Sequence, residues 1–567
     1  MKWRIHKQDK ERVAELARAL NVSPVVAWVL LNRGIEEGEA GRAFLHPELG
    51  GLEPREPMAD MDKAVARIAL ALERKETIGV HGDYDVDGIT GAALLIRFFR
   101  ALGASVVWHI PHRQREGYGM KPLGVDALAD QGASLIVTVD CGVSDREAIV
   151  RANELKIDVV VVDHHQVPDE LPPAIAILNH NRPDCPFQGE DISGVGTAFY
   201  LAAGVRAHLR ETGKLKDNGP HLGELLDLVA LGTVADVVPM TGKNRLLVHF
   251  GLKELNAGRR PGLIQLRRVA GILDRPVGVG QLAFQLAPRL NAAGRLDSGE
   301  PSLKLLLADD EKEAGLLAEE LEKMNRTRRD VEGRIMAEAM AQIESSPGME
   351  SAPAIVAFGQ GWHIGVIGIV AGRITENFFR PSAVIGVHQG MGKGSLRSVP
   401  GINIFKALCR LSHLLETFGG HPQAAGISIK EQNIPAFVTA LIEAVAAESP
   451  DHNFEPALNL DAEWPIARCD RRLIDDLACL KPHGIGNPEP VFCARGVLVK
   501  WAREARNNTL MMGVQENNLT LPAVGFRLGH RIPEPGNRLD LAYTPILDSY
   551  QGQESLKLRV KDFQVIG

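Results

Sequence analysis

The chain has 567 residues, 45% of them hydrophobic and 24% charged, with a net charge of -7. That composition supports several buried cores, and the negative balance excludes a global basic field, so any nucleic-acid contact must be a local groove. Six cysteines without a Cys-x-x-Cys pair argue against zinc ribbons and disulfide frameworks and for a reducing compartment. The first residues, Met1-Lys2-Trp3-Arg4-Ile5-His6-Lys7, lack the apolar core of a signal peptide. No apolar run is long enough to span a bilayer, so a soluble cytoplasmic protein is expected.

In chain order, residues 1–50 read as a small helical lead-in. Residues 51–305 read as one α/β domain. Strand and helix patterns alternate to about 240, and a Gly-, Arg- and Pro-richer irregular extension runs to 305. Residues 306–347 hold a long connecting helix. Its apolar stripe is Leu317, Leu321, Met324, Val331 and Ile335, and Ser345-Ser346-Pro347-Gly348 stops it. Residues 348–450 read as a second, smaller α/β unit, and 458–567 as a small β barrel rich in turns.

Four short β-branched runs lead into acidic clusters. Thr77–Val80 precedes His81-Gly-Asp83-Tyr-Asp85-Val-Asp87-Gly88, and Ser134–Val139 precedes Asp140. Ile157–Val162 precedes Asp163-His164-His165, and Leu228–Val234 precedes Asp236. Read as strands of a parallel sheet, these runs deliver Asp and His to the strand ends where such sheets bind ligands. If extended, the first cluster puts Asp83, Asp85 and Asp87 on one side. Carboxylates with one or two imidazoles and no thiolate favour Mn2+ or Mg2+ over structural zinc. Two such ions about 3.5–4 Å apart activate a water and stabilise a leaving oxygen in phosphoryl transfer. Any one motif alone is as well explained by a surface turn or a helix cap, as Asp87 before Gly88 shows. Four in order make coincidence a poor explanation.

These four motifs resemble the DHH phosphoesterase superfamily. The segment Gly419-Gly420-His421-Pro422-Gln423-Ala424-Ala425-Gly426 resembles the glycine-rich signature of the DHH-associated domain. Arg289-Leu-Asn291-Ala-Ala-Gly-Arg295, Trp362-His-Ile-Gly-Val-Ile-Gly368 and the β-rich tail extend the match over nearly the whole chain. The resemblance implies an α/β fold. A parallel-sheet DHH domain is joined by a long helix to a smaller α/β DHH-associated domain, with a C-terminal OB-like β barrel. It implies a two-metal 5′-to-3′ exonuclease that degrades single-stranded DNA in recombination and repair. Nano-RNA and cyclic-dinucleotide phosphodiesterases and pyrophosphatases of the same superfamily are rivals, generally shorter and without the tail. Non-catalytic replication scaffolds, which lose metal ligands, are another.

The resemblance also assigns roles. His81, Asp85, Asp87, Asp140, His164 and Asp236 are the implied ligands of two divalent ions, Mn2+ or Mg2+. His165 would lie near the scissile phosphate. Asp83 and Asp163 would act in catalysis or orient the ligands. The implied partner is single-stranded DNA with a free 5′ end, together with a single-strand-binding protein and a RecQ-type helicase. A monomer is implied. For the substrate groove, Arg289, Arg295, Arg373 and Arg397 lie in Gly-rich or turn-like contexts and match phosphate oxygens. Asn291, Ser395, Gly419, Gly420 and His421 accompany them. Arg115 and Tyr118 sit in a Gly-flanked loop where an aromatic can stack on a base. Arg326, Arg328 and Arg329 on the long helix read more readily as a solvated face than as a DNA track.

Overall fold

The computed structural model describes residues 1–51, 57–187, 191–215, 219–448, 454–550 and 553–566. The expected boundary at Pro450 and the last residue lie outside them. Strand β1 (Lys2–Ile5) precedes three helices, Lys10–Leu20, Pro24–Asn32 and Gly38–Leu45. The first domain is built on β2 (Thr77–Gly82), β3 (Ser105–His109), β4 (Ala133–Val139), β5 (Asp158–Val162) and β6 (Ala176–Leu178). They form an all-parallel sheet in the order β3-β2-β4-β5-β6. Central strands of such a sheet are buried on both faces, which explains their unbroken apolar runs. Leu135, Val137, Val160 and Val162 point into one core; Ile136, Val159 and Val161 point into the other.

Two expectations fail here. Leu228–Val234 is not a strand but part of helix Leu226–Ala235, buried all round. A helix without a polar face has no 3.6-residue signal to give it away. The stretch 241–305 is not irregular: it holds helices Gly242–Ala257, Pro261–Val269, Ala287–Leu296 and Glu300–Leu307. Its glycines and prolines are punctuation. Gly258 ends one helix at φ +67° and Pro261 opens the next.

The long helix, Glu311–Ser345, has 35 residues and so extends about 52 Å. Leu321 is buried against the first domain and Ile335 and Ile343 against the second. The second domain comprises β7 (Ile355–Gln360), β8 (Ser382–His388), β9 (Met391–Arg397), β10 (Thr417–His421) and β11 (Ala424–Lys430), ordered β10-β11-β9-β8-β7. After β12 (Ala457–Leu460) and β13 (Ala462–Glu463) come the barrel strands β14 (Phe492–Ala505), β15 (Thr509–Glu516), β16 (Leu519–Phe526), β17 (Arg538–Tyr550) and β18 (Gln553–Ile566). Pairing runs β14-β15-β16-β18-β17 and returns from β17 to β14, which closes an OB-like barrel.

The lead-in belongs with this barrel. β1 pairs in parallel with β12, and Val13, Leu16 and Leu30 share one core with Val497, Leu539 and Phe563. Arg245, buried on helix Gly242–Ala257, donates to the carbonyls of Phe44, Cys479 and Lys481. One side chain thereby joins lead-in, first domain and barrel segment.

Candidate metal centre

The Asp83–Asp87 segment is not extended. Asp85 caps helix Val86–Ala101, accepting from the Asp87 and Gly88 amides at 3.0 and 3.2 Å, and Asp87 lies in the helix's first turn. Gly88 is required, because a Cβ there would lie 2.5 Å from the Asp83 nitrogen. Asp87 also accepts from the Gly194 and Val195 amides at 2.6 and 2.9 Å, at the start of helix Gly194–Glu211. A helix N-terminus favours an anion there. Asp140, just past β4, is held at φ +63°. Asp236 comes from the C-terminal end of helix Leu226–Ala235.

Ligand atoms of Asp83, Asp85 and Asp140 lie within 4.8 Å of one another, as do those of Asp87, His164 and Asp236 and those of Asp140, His164 and His165. His164 Nε2 is 3.0 Å from Asp140, 3.6 Å from Asp236 and 3.8 Å from Asp87. Burial and then the neighbouring carboxylates push Asp83 and Asp140 well above the usual range. They push Asp87 up to about 7 and Asp236 up to about 9. Burial, then His165, brings His164 down to about 4, which leaves a neutral imidazole. Crowded carboxylates beside a neutral imidazole are an arrangement that a bound cation would stabilise. The adjacent Cys141 thiol is pushed up by burial and offers no thiolate. The donor set therefore fits hard divalent ions.

Asp163 is arranged differently. Its Oδ1 accepts from the His164 and His165 amides at 2.8 and 3.1 Å and from His165 Nδ1 at 2.8 Å; its Oδ2 accepts from the Val143 amide at 3.0 Å. The carboxylate is occupied in shaping the histidine loop. Burial would lower the His165 pKa, but the hydrogen bond and charge of Asp163 outweigh it and raise it. His81 stands apart from the three groups. It is fully buried and stacks on His109 with ring centroids 5.3 Å apart, and neither ring nitrogen has a well-formed hydrogen bond among the described residues.

A cleft of about 790 Å³ separates the two α/β domains, with Asp83, Asp85 and Asn291 on one wall and Ser395, Arg397 and Gly419 on the other. Arg295 and Arg397 line it, and neither forms an ion pair with a carboxylate among the described residues. Arg397 donates to Ser395 Oγ at 3.1 Å, and Arg295 donates to the Gly365 carbonyl at 3.2 Å. Asn291 Oδ1 accepts from the Val86 amide at 3.2 Å, so it props the metal-side turn. The Tyr118 hydroxyl is engaged with the Asp140 carbonyl at 3.1 Å and His165 Nδ1 at 2.9 Å.

Five expected substrate residues are not among those lining the cleft: Arg115, Arg289, Arg373, Gly420 and His421. Arg289 is 2.7 Å from Glu322 and Arg373 is 2.6 Å from Glu332, both on the long helix. Gly-rich context marked these arginines, but the helices around them turn them towards those acids.

The sequence reading missed the supports. Asn181 and Asn179 donate to the His164 and His165 carbonyls at 2.6 and 2.8 Å. Gly194 and Gly232 let two helices approach; a Cβ at either would lie about 3 Å from an Asp87 oxygen, at 3.1 and 2.9 Å. The signals available were the Asn-His-Asn triplet 179–181 and the Gly-Val-Gly triplet 194–196.

The chain matches the DHH family, N-terminal domain, over residues 77–233, the DHHA1 domain over 351–447 and the RecJ OB domain over 460–562. It is 33% identical over 572 residues to the single-stranded-DNA-specific exonuclease RecJ of Bacillus subtilis, covering 100% of this chain and 71% of that one. It is 35% identical to the Escherichia coli protein of the same name over 569 residues, covering 98% of each. The crystal structure of RecJ in complex with Mn2+ from Thermus thermophilus superposes with a TM-score of 0.84 at 30% identity, covering 99% of this chain and 79% of that chain. The Mg2+ complex from the same source gives a TM-score of 0.78.

Proposed function

The chain belongs to the RecJ family, and from that premise we propose how its own residues degrade single-stranded DNA from a 5′ end. The observation that carries the reading is the convergence of two acidic groups, Asp83-Asp85-Asp140 and Asp87-His164-Asp236, beside a cleft whose three arginines, Arg113, Arg295 and Arg397, form no ion pair with a carboxylate among the described residues. Asp85, Asp87, Asp140, His164 and Asp236 would hold two divalent ions, with Asp83 beside them. When bound, the ions supply a deprotonated water and neutralise charge on the phosphate.

The protein's part is placement. Asp163 fixes the histidine loop and favours the protonated form of His165, which would present a cationic donor to a non-bridging phosphate oxygen. Arg397 with Ser395, across the cleft, suits the terminal phosphate of a 5′ end, and Arg295 suits the next phosphate. Tyr118 closes the site over His165. Its ring is partly exposed and remains available to the terminal base.

The same family reading assigns a role in recombination and repair, a monomer, and contacts with a single-strand-binding protein and a RecQ-type helicase in the cytoplasm. Among the described residues no single helix is long and apolar enough to cross a membrane.

The test uses labelled single strands blocked at one end or the other, with and without Mn2+. Cleavage should need the metal and an open 5′ end. Equal digestion of both blocked strands removes the polarity, and undiminished cleavage by Asp140→Ala removes the metal assignment.

A further inference from the structure

Arg289 does not line the cleft, and its surroundings form a second charged locality. On the long helix, Glu322 is met by three arginines. Arg289 Nε lies at 2.7 Å, Arg326 Nε at 2.8 Å and Arg329 Nη2 at 3.7 Å. One carboxylate shared among three guanidinium groups leaves several of their N–H donors unused. Glu322 is itself largely buried, whereas the side chains of Arg326 and Arg329 are 70% and 53% exposed. Their remaining N–H groups face water.

An independent observation lies beside this cluster. Residues Leu282–Leu286 form a π-helical turn, in which the Ala287 amide bonds to the Leu282 carbonyl. Such turns interrupt helices at a cost and recur at functional sites. This one carries Phe284, which is 82% exposed. Arg289 donates back to the carbonyl of Gln285, the residue after Phe284, at 2.5 Å. The turn that carries Phe284 is therefore tied to the start of helix Ala287–Leu296 by Arg289, and Arg289 is tied in turn to Glu322 and its two other arginines. An exposed aromatic near arginines with N–H groups open to water is the pairing that holds single strands, the ring stacking on a base and the cations holding phosphates.

We propose that Phe284 with Arg326 and Arg329 forms a single-strand-holding station outside the catalytic cleft, engaged only by strands long enough to pass over helix Ala287–Leu296. The same helix carries Asn291 and Arg295 into the cleft. The station rests on the single-strand nuclease reading and adds a contact that a short substrate never reaches. Arg289 takes part but is also packed against Glu322, so it is not the residue to test.

The experiment measures binding by fluorescence anisotropy of oligothymidylates of about 5 and about 30 nucleotides, in EDTA so that nothing is cut. Phe284→Ala should weaken binding of the long strand roughly tenfold and leave the short strand unchanged. Phe284→Tyr should restore it, and Phe284→Leu should not. Arg326→Ala with Arg329→Ala should flatten the slope of log K against log salt by about 1.4 for the long strand only. Metal-dependent cleavage of the short strand should be unchanged in each variant. If the unmodified protein binds single strands of neither length, this station and the nuclease reading fall together. If it binds and the variants lose nothing, or lose equally on both lengths, the station alone falls.

Discussion

At the scale of single residues, the candidate metal centre is a set of carboxylates kept in unfavourable company. Asp87 and Asp236 have folded-state pKa values raised to about 7 and about 9 by burial and then by neighbouring carboxylates. A carboxyl whose pKa is raised on folding binds more protons folded than unfolded, so its contribution to stability declines as pH rises from its unfolded value through its folded one. The metal-free protein should therefore lose stability from about pH 4 to pH 9. Mn2+ should raise the melting temperature more at pH 8 than at pH 6. A Mn2+ stabilisation independent of pH contradicts this account, and scanning fluorimetry across buffers reads it directly. The asparagines behind the histidines give a second expectation. Asn181→Ala removes the donor to the His164 carbonyl and should reduce Mn2+ affinity or kcat about 10- to 100-fold, with circular dichroism unchanged. A loss in KM for DNA alone places Asn181 with the substrate instead.

At the scale of elements, close helix packing explains both what holds the site and what the sequence concealed. Helix Gly242–Ala257 approaches helix Leu226–Ala235 so closely that a Cβ on Gly251 would lie 2.1 Å from the Leu226 carbonyl oxygen. Gly251→Ala must push these helices apart. It should cost about 1–3 kcal/mol of stability, measured by urea denaturation, and should lower activity through the shift of Asp236. The strands β2, β4 and β5 were legible because a doubly buried strand is an apolar run of the right length ending in polar ligands. Helix Leu226–Ala235 was not, because its burial removes the amphipathic stripe and its β-branched content imitates a strand. Asp236 could still be singled out, since it follows the apolar run whichever element that run forms, and the structure brings it within reach of Asp87 and His164. The motif residues of the centre could be read off the chain, whereas the side-chain partners of Arg289 and Arg373 could not. Those depend on the long helix lying across both domains, a placement that no local pattern encodes.

At the scale of the whole molecule, the nuclease domains and the barrel unit are joined through buried polar contacts as well as apolar ones. Removing residues beyond about 450 would uncover the lead-in's apolar residues and strand the guanidinium of Arg245, which bonds to the Cys479 and Lys481 carbonyls. The truncated chain should aggregate. A chain lacking both the lead-in and the barrel should be more soluble than one lacking the barrel alone, because the two halves of one core leave together. If folded, the double truncation should still cut short strands. Comparing soluble yield and short-strand cleavage of the two truncations decides the matter, and equal solubility would mean that the lead-in is held by the first domain.

The pairing of β1 with β12, and the Trp3 indole donating to Asp562 at 2.9 Å, set a schedule for synthesis. The lead-in leaves the ribosome well before the strands that cover it are made. At about 5–20 residues per second the interval between Leu45 and Ala462 is roughly 20–80 s. For that time helices Lys10–Leu20 and Pro24–Asn32 wait with their apolar sides uncovered while both α/β domains, complete by then, fold. The newborn chain is thus a finished nuclease core trailing an unfinished lead-in, which makes helices Lys10–Leu20 and Pro24–Asn32 the natural substrate of a holding chaperone during translation.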